Sequence, residues 1–383
     1  MSEPALTPPA ERNYLAIGLR WLLILALLYG FLVAIQLMGN SIKSLGKDAA
    51  SSLFAGVSNP FAGLSVGVLA TVLVQSSSTT TSTIVGLVGA AKAVALPLTS
   101  AVPMIMGANI GTTITNTIVS VGHIRQGPEF RRAFAAATVH DFFNILCVTI
   151  LLPLELATGF LEHTAQWLTG YLVSESSHGN FHSPIKGAVK AATKLIDKGL
   201  DGIGLEGVPL TVTLLVLGIA MTFVCLVYIT KNMRVLISGP LERAMNRTLG
   251  RSGWAGILVG TLVTMAVQSS SITTSLLVPM CAAGVLSLPN AFPIMLGANI
   301  GTTLTGVLAS QAAETSAGLT IALVHVLFNL IGVLLFYPIP AFRRIPIFLA
   351  ELLARKSQEN ALWVLGYVGG VFVLLPLAGY LLF

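Results

Sequence analysis

Long uncharged apolar stretches dominate this chain. Residues 21–38, 210–228, 319–338 and 362–383 each come close to the roughly 20 residues a helix needs to cross about 30 Å of hydrocarbon. Between them lie apolar segments interrupted by small polar blocks, and these blocks occur twice. VQSSSTTTS from Val74 matches VQSSSITTS from Val267, and VPMIMGANIGTTIT from Val102 matches FPIMLGANIGTTLT from Phe292. VHDFFNILCVTILLPLE from Val139 matches VHVLFNLIGVLLFYPIP from Val324. The offsets are 193 (75 to 268), 190 (109 to 299) and 185 (140 to 325), with the order kept. A duplicated unit accounts for this; shared composition alone would not keep three blocks in register.

Each unit predicts the same run of elements. A long helix (20–45; 210–237) comes first, then an apolar segment with QSSS at its middle (63–95; 256–288). A helix interrupted at GANIGTT follows (99–121; 290–309), then a helix opening near a His (132–156; 319–337). A last span, 363–383, lies outside the repeat. The fold expected is an all-α polytopic membrane protein of two inverted-topology repeats, each with a re-entrant QSSS hairpin and a broken GANIGTT helix. Its divisions are a tail (1–14), repeat 1 (15–158), a linker (159–206), repeat 2 (207–340) and a loop with the final helix (341–383).

Composition agrees: 54% of residues are hydrophobic and 9% charged, too few charges to cover a soluble domain of 383 residues. The N-terminus, MSEPALTPPAERN, mixes acids with one Arg and does not read as a cleaved signal peptide. The net charge of +6 is unevenly spread. Basic clusters fall at Arg125/Arg131/Arg132, between Lys231 and Arg251, and at Arg343/Arg344/Arg355/Lys356. The linker instead sets Lys186, Lys190, Lys194 and Lys198 against Glu162, Glu175, Asp197, Asp201 and Glu206. The positive-inside rule then puts the N-terminus and the basic clusters in the cytoplasm and the linker outside, and the second unit runs upside down to the first. Inverted repeats with discontinuous helices point to secondary transporters. The basic balance marks membrane orientation, not nucleic-acid binding. Cys147, Cys225 and Cys281 sit far apart in apolar runs, which predicts buried thiols and neither a disulfide framework nor a metal motif.

The polar blocks carry the candidate chemistry. Irregular backbone at membrane depth survives only around a cavity or inside protein. Gly107, Gly111, Gly297 and Gly301 mark where a helix break is easiest, and a half-helix N-terminus there would favour an anion. Ser76, Ser77, Ser78, Ser269, Ser270 and Ser271 add hydroxyl donors. Oxygens of Asn109, Thr112, Gln268, Asn299, Thr302 and Thr305 suit a small hard cation. No Lys or Arg lies inside these blocks, so the anion's counter-charge is expected to travel with it, as co-bound cations. His140 and His325 read first as packing residues. Asp141 faces an apolar counterpart, Val326, and is a candidate cation ligand or proton site, with an interfacial pairing to Arg131 or Arg132 as the alternative. Asn144 and Asn329 lie one turn after each His, and Lys92 and Glu155 are expected to snorkel at helix ends. An anion channel and an intramembrane serine hydrolase remain as rivals, although a hydrolase needs Ser and His in unique roles and both occur here in duplicate.

Together the paired QSSS runs, the GANIGTT blocks, FRRAFAAATVHDFFN from Phe130 and LLPLELATGF from Leu151 resemble the type II sodium–phosphate cotransporter family over about residues 15–370. The resemblance implies symport of inorganic phosphate with Na⁺ by alternating access across the cell membrane, with no cofactor beyond the co-transported sodium. It implies a phosphate site from Gln75–Ser78 and Gln268–Ser271 with Thr112 nearby. The sodium ligands it implies include Asn144, Gln268, Ser269, Thr302 and Thr305. Asp141 matches the acid that marks electrogenic members, so movement of net positive charge with divalent phosphate is expected. Where many animal members carry Ser, this chain has Ala108 and Ala298. A linker without Cys or glycosylation sequon, and no tail after the last span, point to a minimal bacterial version. Symport of another small oxyanion or a carboxylate stays open, as does oligomeric state, a homodimer included.

Overall fold

The computed structural model describes residues 14–45, 54–91, 95–124, 127–176, 184–202, 204–248 and 252–383. Lys92 and all but Tyr14 of the expected tail lie outside them. Among the described residues every regular element is helical. The first repeat holds α1 (Tyr14–Leu45), α2 (Pro60–Val74), α3 (Ser77–Val88), α4 (Leu98–Gly111), α5 (Ile114–Val121) and α6 (Pro128–Thr158). The linker forms α7 (Phe160–Ser176) and α8 (Pro184–Asp201). The second repeat holds α9 (Gly207–Thr248), α10 (Gly253–Val267), α11 (Ser270–Ala282), α12 (Leu288–Ser310) and α13 (Ala317–Phe336). Then follow α14 (Pro340–Glu359), α15 (Leu362–Gly369), a π-turn over Gly370–Leu374 and α16 (Leu375–Leu382).

Six helical stretches are long and apolar enough to cross a membrane: 15–41, 128–158, 207–233, 288–310, 317–336 and 362–382. The helices flanking each QSSS run are shorter. α2 and α10 have 15 residues, α3 has 12 and α11 has 13. At 1.5 Å per residue they reach only about 18–23 Å, short of a full crossing.

Glycine explains the packing inside each repeat. A Cβ on Gly107 would sit 2.0 Å from the carbonyl oxygen of Leu64, and one on Gly67 2.1 Å from that of Met104. Repeat 2 repeats the pair: Gly297 faces Ile257 at 2.0 Å and Gly260 faces Ile294 at 2.1 Å. α2 thus lies backbone-to-backbone on α4, and α10 on α12, as small residues permit in membranes. The GANIGTT glycines therefore serve close approach, and the expected break is missing from repeat 2. α12 runs unbroken from Leu288 to Ser310, and in repeat 1 only a turn at Thr112–Thr113 separates α4 from α5.

Between repeats the contacts cross over. α3 packs on α12 and α13, while α11 packs on α5 and α6. α1 and α9 pack along each other, and Phe143 of α6 meets Phe292 of α12 and Phe336 of α13 edge-on at 6.1 and 5.8 Å. Such pairs add stability beyond their buried area. Neither half is a separate domain.

The three cysteines are buried free thiols, as expected. Glu155 does not snorkel: its carboxylate accepts from the backbone N–H groups of Leu161 (2.6 Å) and Glu162 (3.2 Å). It thereby covers the open N-terminus of α7, where a negative charge is favoured.

Candidate functional site

The discontinuities fall inside QSSS. Gln75 ends α2 with φ +56° and Gln268 ends α10 with φ +58°, the positive-φ non-glycine residues of the described chain. An L-residue in this region carries a cost of about 1 kcal/mol or more, and here each side chain compensates. The Gln75 amide donates to Val72 O at 2.6 Å, and that of Gln268 to Met265 O. Ser76 and Ser269 then turn extended, at φ −153° in both, and cap the next helix. Their hydroxyl oxygens accept from Thr79 N (3.2 Å) and Ile272 N (3.4 Å). Capping satisfies the third N–H of each helix. The first N–H groups of α3 and α11 keep no helical acceptor, and the dipole adds about half a positive charge at each end.

Both ends open on one cavity of about 240 Å³. It is lined by Gln75 to Ser78 and Gln268 to Ser271, with Leu226, Val227, Thr230 and Lys231 of α9 forming the remaining wall. Two runs almost two hundred residues apart thus present paired helix N-termini and hydroxyls to a single space. Ser77 and Ser270 line this space and cap neither helix, leaving their hydroxyls available to a guest.

Behind the cavity lies a layer of hydroxyls and amides. Thr305 donates to Gln268 Oε1 at 2.9 Å, and its counterpart Thr115 to Gln75 Oε1 at 3.2 Å. Ser78 and Thr302 share a hydrogen bond of 3.2 Å across the repeats. Thr112, expected beside the anion, instead donates to Ala108 O at 2.9 Å and does not line the cavity.

Deeper in, the two GANIGTT asparagines cross to the histidines of the opposite repeat. His140 Nε2 donates to Asn299 Oδ1, and His325 Nε2 to Asn109 Oδ1 at 3.4 Å. Asn299 donates to Asn144 Oδ1 at 2.8 Å, Asn144 to Asn109 O at 2.9 Å, and Asn329 to Asn109 Oδ1 at 3.3 Å. All six side chains are buried. This network makes the histidines inter-repeat hydrogen-bonding residues, in keeping with the packing reading.

Asp141 lies apart from the QSSS cavity and is fully buried. Tyr367 of α15 donates to its Oδ2 at 3.0 Å, while Oδ1 has no hydrogen-bond partner. The hydroxyls of Thr113 and Thr117 stand beside the carboxyl group, but their protons are directed at Ile110 O and Thr113 O. Among the described residues Asp141 makes no ion pair with Arg131 or Arg132.

Sequence reasoning missed two residues here. Lys231 was read only as the start of a cytoplasmic basic cluster, although it lies three residues past Tyr228, over whose ring its ammonium sits at 5.2 Å. The polar blocks hold no cation, but the cavity they line does. Tyr367 sits in the span outside the repeat, with no sequence signal tying it to Asp141.

Comparison with known proteins follows this geometry. The family model described as Na+/Pi-cotransporter matches residues 31–161 and 212–350, leaving out most of the linker. Sodium-dependent phosphate transport protein 2A of Rattus norvegicus is 33% identical over 425 residues, covering 92% of this chain and 66% of the relative. Protein 2B of Homo sapiens is 34% identical over 452 residues, covering 94% of this chain and 64% of its own, and that of Bos taurus is 35% identical over 453. The chain thus spans slightly less than two thirds of the curated relatives it matches. No solved structure matches it. With both matched segments carrying the duplicated motifs that meet at the cavity, the chain belongs to the Na+/Pi-cotransporter family.

Proposed function

We propose that this multi-pass membrane protein is a secondary transporter that carries inorganic phosphate into the cell with Na⁺. The observation that carries the reading is the convergence of both QSSS turns on one cavity. The relatives' printed names, sodium-dependent phosphate transport proteins, support the choice of ions.

Phosphate sits between the two helix N-termini, held by the free N–H groups of α3 and α11 and by the hydroxyls of Ser76, Ser77, Ser78, Ser269, Ser270 and Ser271. Gln75 and Gln268 fix the turns. Lys231 offsets one unit of a divalent anion's charge. The rest is left to the helix dipoles and to sodium, so the counter-charge is part fixed and part carried in.

Sodium takes oxygen ligands from Gln268, Ser269, Thr302 and Thr305, which lie on or just behind the cavity wall. Asn144 and Asn299 each keep an oxygen lone pair for a cation, whereas Asn109 Oδ1 already accepts two bonds and joins the repeats. Asp141 holds a further sodium: its unpartnered Oδ1 stands beside the oxygens of Thr113 and Thr117, lone pairs that a bound cation would satisfy. This extra charge makes transport electrogenic.

The short helices on either side of each QSSS turn support re-entrant hairpins, and the crossed contacts support two inverted repeats around the shared cavity. Alternating access follows if these interlocked halves expose the cavity to one side at a time, with the N-terminus in the cytoplasm. The test is uptake of labelled phosphate into proteoliposomes under an imposed Na⁺ gradient, with and without a membrane potential. Na⁺-driven accumulation increased by an inside-negative potential is expected, and Asp141→Gly should remove the dependence on potential. Equal uptake of sulfate would turn the reading to another oxyanion, and currents independent of a Na⁺ gradient would turn it to a channel.

A further inference from the structure

A second cavity, of about 500 Å³, lies away from the QSSS turns, where the start of α6, the α11–α12 connection and α14 meet. Its lining holds the guanidinium groups of Arg131, Arg132 and Arg355 against the single carboxylate of Glu351, a local excess of two positive charges. No ion pair joins Glu351 to any of the three among the described residues; the pair found on α14 is Lys356–Glu359, at 3.7 Å. The four charged residues are exposed, but a concave wall of net positive charge concentrates the field on whatever enters.

Two observations give this cavity an anion's geometry. Arg132 is anchored: its Nε donates to Ala282 O at 2.8 Å and Cys281 O at 3.2 Å, the last carbonyls of α11. Its guanidinium is therefore held in place, with its remaining N–H groups unspent. The cavity wall also includes Ser287, Leu288 and Pro289, where α12 begins. Ser287 makes no side-chain cap, so the positive dipole end of a 23-residue helix faces this cavity uncapped.

We propose that this cavity is a binding site for a phosphate dianion, separate from the transport site and independent of Na⁺. Planar guanidinium forks beside an uncapped helix N-terminus match phosphate oxygens in shape, and two net positive charges match a dianion. Inorganic phosphate and the phosphomonoester headgroup of phosphatidic acid share this chemistry, and the cavity has room for either. On the orientation proposed above it opens to the cytoplasm. Its occupant would touch the far ends of α11 and α12, the helices that carry Ser270, Ser271, Thr302 and Thr305, so cytoplasmic phosphate or lipid would bear on the transport site. That consequence rests on the transporter reading; the binding site does not.

The test uses the full chain in phosphatidylcholine nanodiscs and equilibrium binding of labelled inorganic phosphate in sodium-free choline buffer. Saturable binding is expected, weakened by at least about tenfold in Arg131→Gln/Arg355→Gln, because each change removes charge-assisted bonds to the anion. Glu351→Gln should tighten it several-fold, a readout that stands even if the arginine variant folds poorly. Ser77→Ala/Ser270→Ala should retain it, which separates this site from the QSSS cavity. Nanodiscs containing phosphatidic acid distinguish the sources: if the lipid is the occupant, inorganic phosphate no longer binds and the arginine variant loses the lipid. The proposal is overturned if neither ligand binds without Na⁺, if binding survives the arginine change with unaltered affinity, or if the QSSS variant abolishes it. Failure here would leave Na⁺-driven uptake untouched, and failure of uptake would leave this binding intact.

Discussion

Replacing Gly297 by Ala tests the packing that holds the site together. Its Cβ would stand 2.0 Å from Ile257 O, 2.7 Å from Thr261 N and 2.8 Å from Ile257 C, all backbone atoms that cannot rotate away. Ordinary carbon–oxygen contact is about 3.3 Å, so α10 and α12 must separate by roughly 1.3 Å. A gap of that size forfeits about half of the dispersion attraction along the contact, and overpacking in a dense interior costs about 1–3 kcal/mol. The displacement also reaches Thr302, five residues on, which meets Ser78 at 3.2 Å across the repeats. The assay is thermal unfolding of the purified protein with phosphate uptake beside it. A fall in midpoint of several degrees with a larger loss of uptake is expected. Gly306→Ala, on the same helix but 3.8 Å from its nearest neighbours, should leave both unchanged. Equal behaviour of the two variants would refute the claim that the GANIGTT glycines exist for contact.

Other perturbations follow from the same geometry. Lys231→Gln should raise the phosphate KM by about three- to tenfold, its charge being partly screened by solvent, and Lys231→Arg should restore most of it, as read from uptake at saturating Na⁺. Tyr367→Phe takes away the donor on Asp141 Oδ2 and should shift sodium affinity by up to about tenfold, with the phosphate KM at saturating sodium unaltered. Asn109→Ala leaves the His325 and Asn329 donors buried without an acceptor and should destabilise the protein by roughly 2–3 kcal/mol, read from thermal unfolding.

Much of this architecture was legible in the sequence because membranes make their demands locally. Apolar stretches long enough to span read directly as helices, and α6, α12 and α13 end within four residues of the expected bounds. The QSSS pair was recognisable from its repetition. Where the chain breaks was harder to read. Gly in GANIGTT suggested open dihedrals, but glycine serves a break and a close contact equally well, and only the neighbouring helix decides between them. The breaks that shape the cavity use Gln in a left-handed conformation, a choice propensity does not foresee. Lys231 and Tyr367 were missed for a related reason. Tyr367 reaches Asp141 from a helix distant in sequence, and Lys231 meets both QSSS runs only once the chain is folded, so periodicity and spacing carry no trace of either placement.

The central claim is that two QSSS turns form one phosphate site. Ser77→Ala and Ser270→Ala test it most directly, because both hydroxyls line the cavity and neither caps a helix. Na⁺-driven phosphate uptake should show each variant with a KM raised about tenfold, the loss of one hydrogen bond to a charged ligand, and the double variant should depart from the product of the singles. If either variant transports with an unaltered KM while the other is impaired, the two turns do not share a substrate.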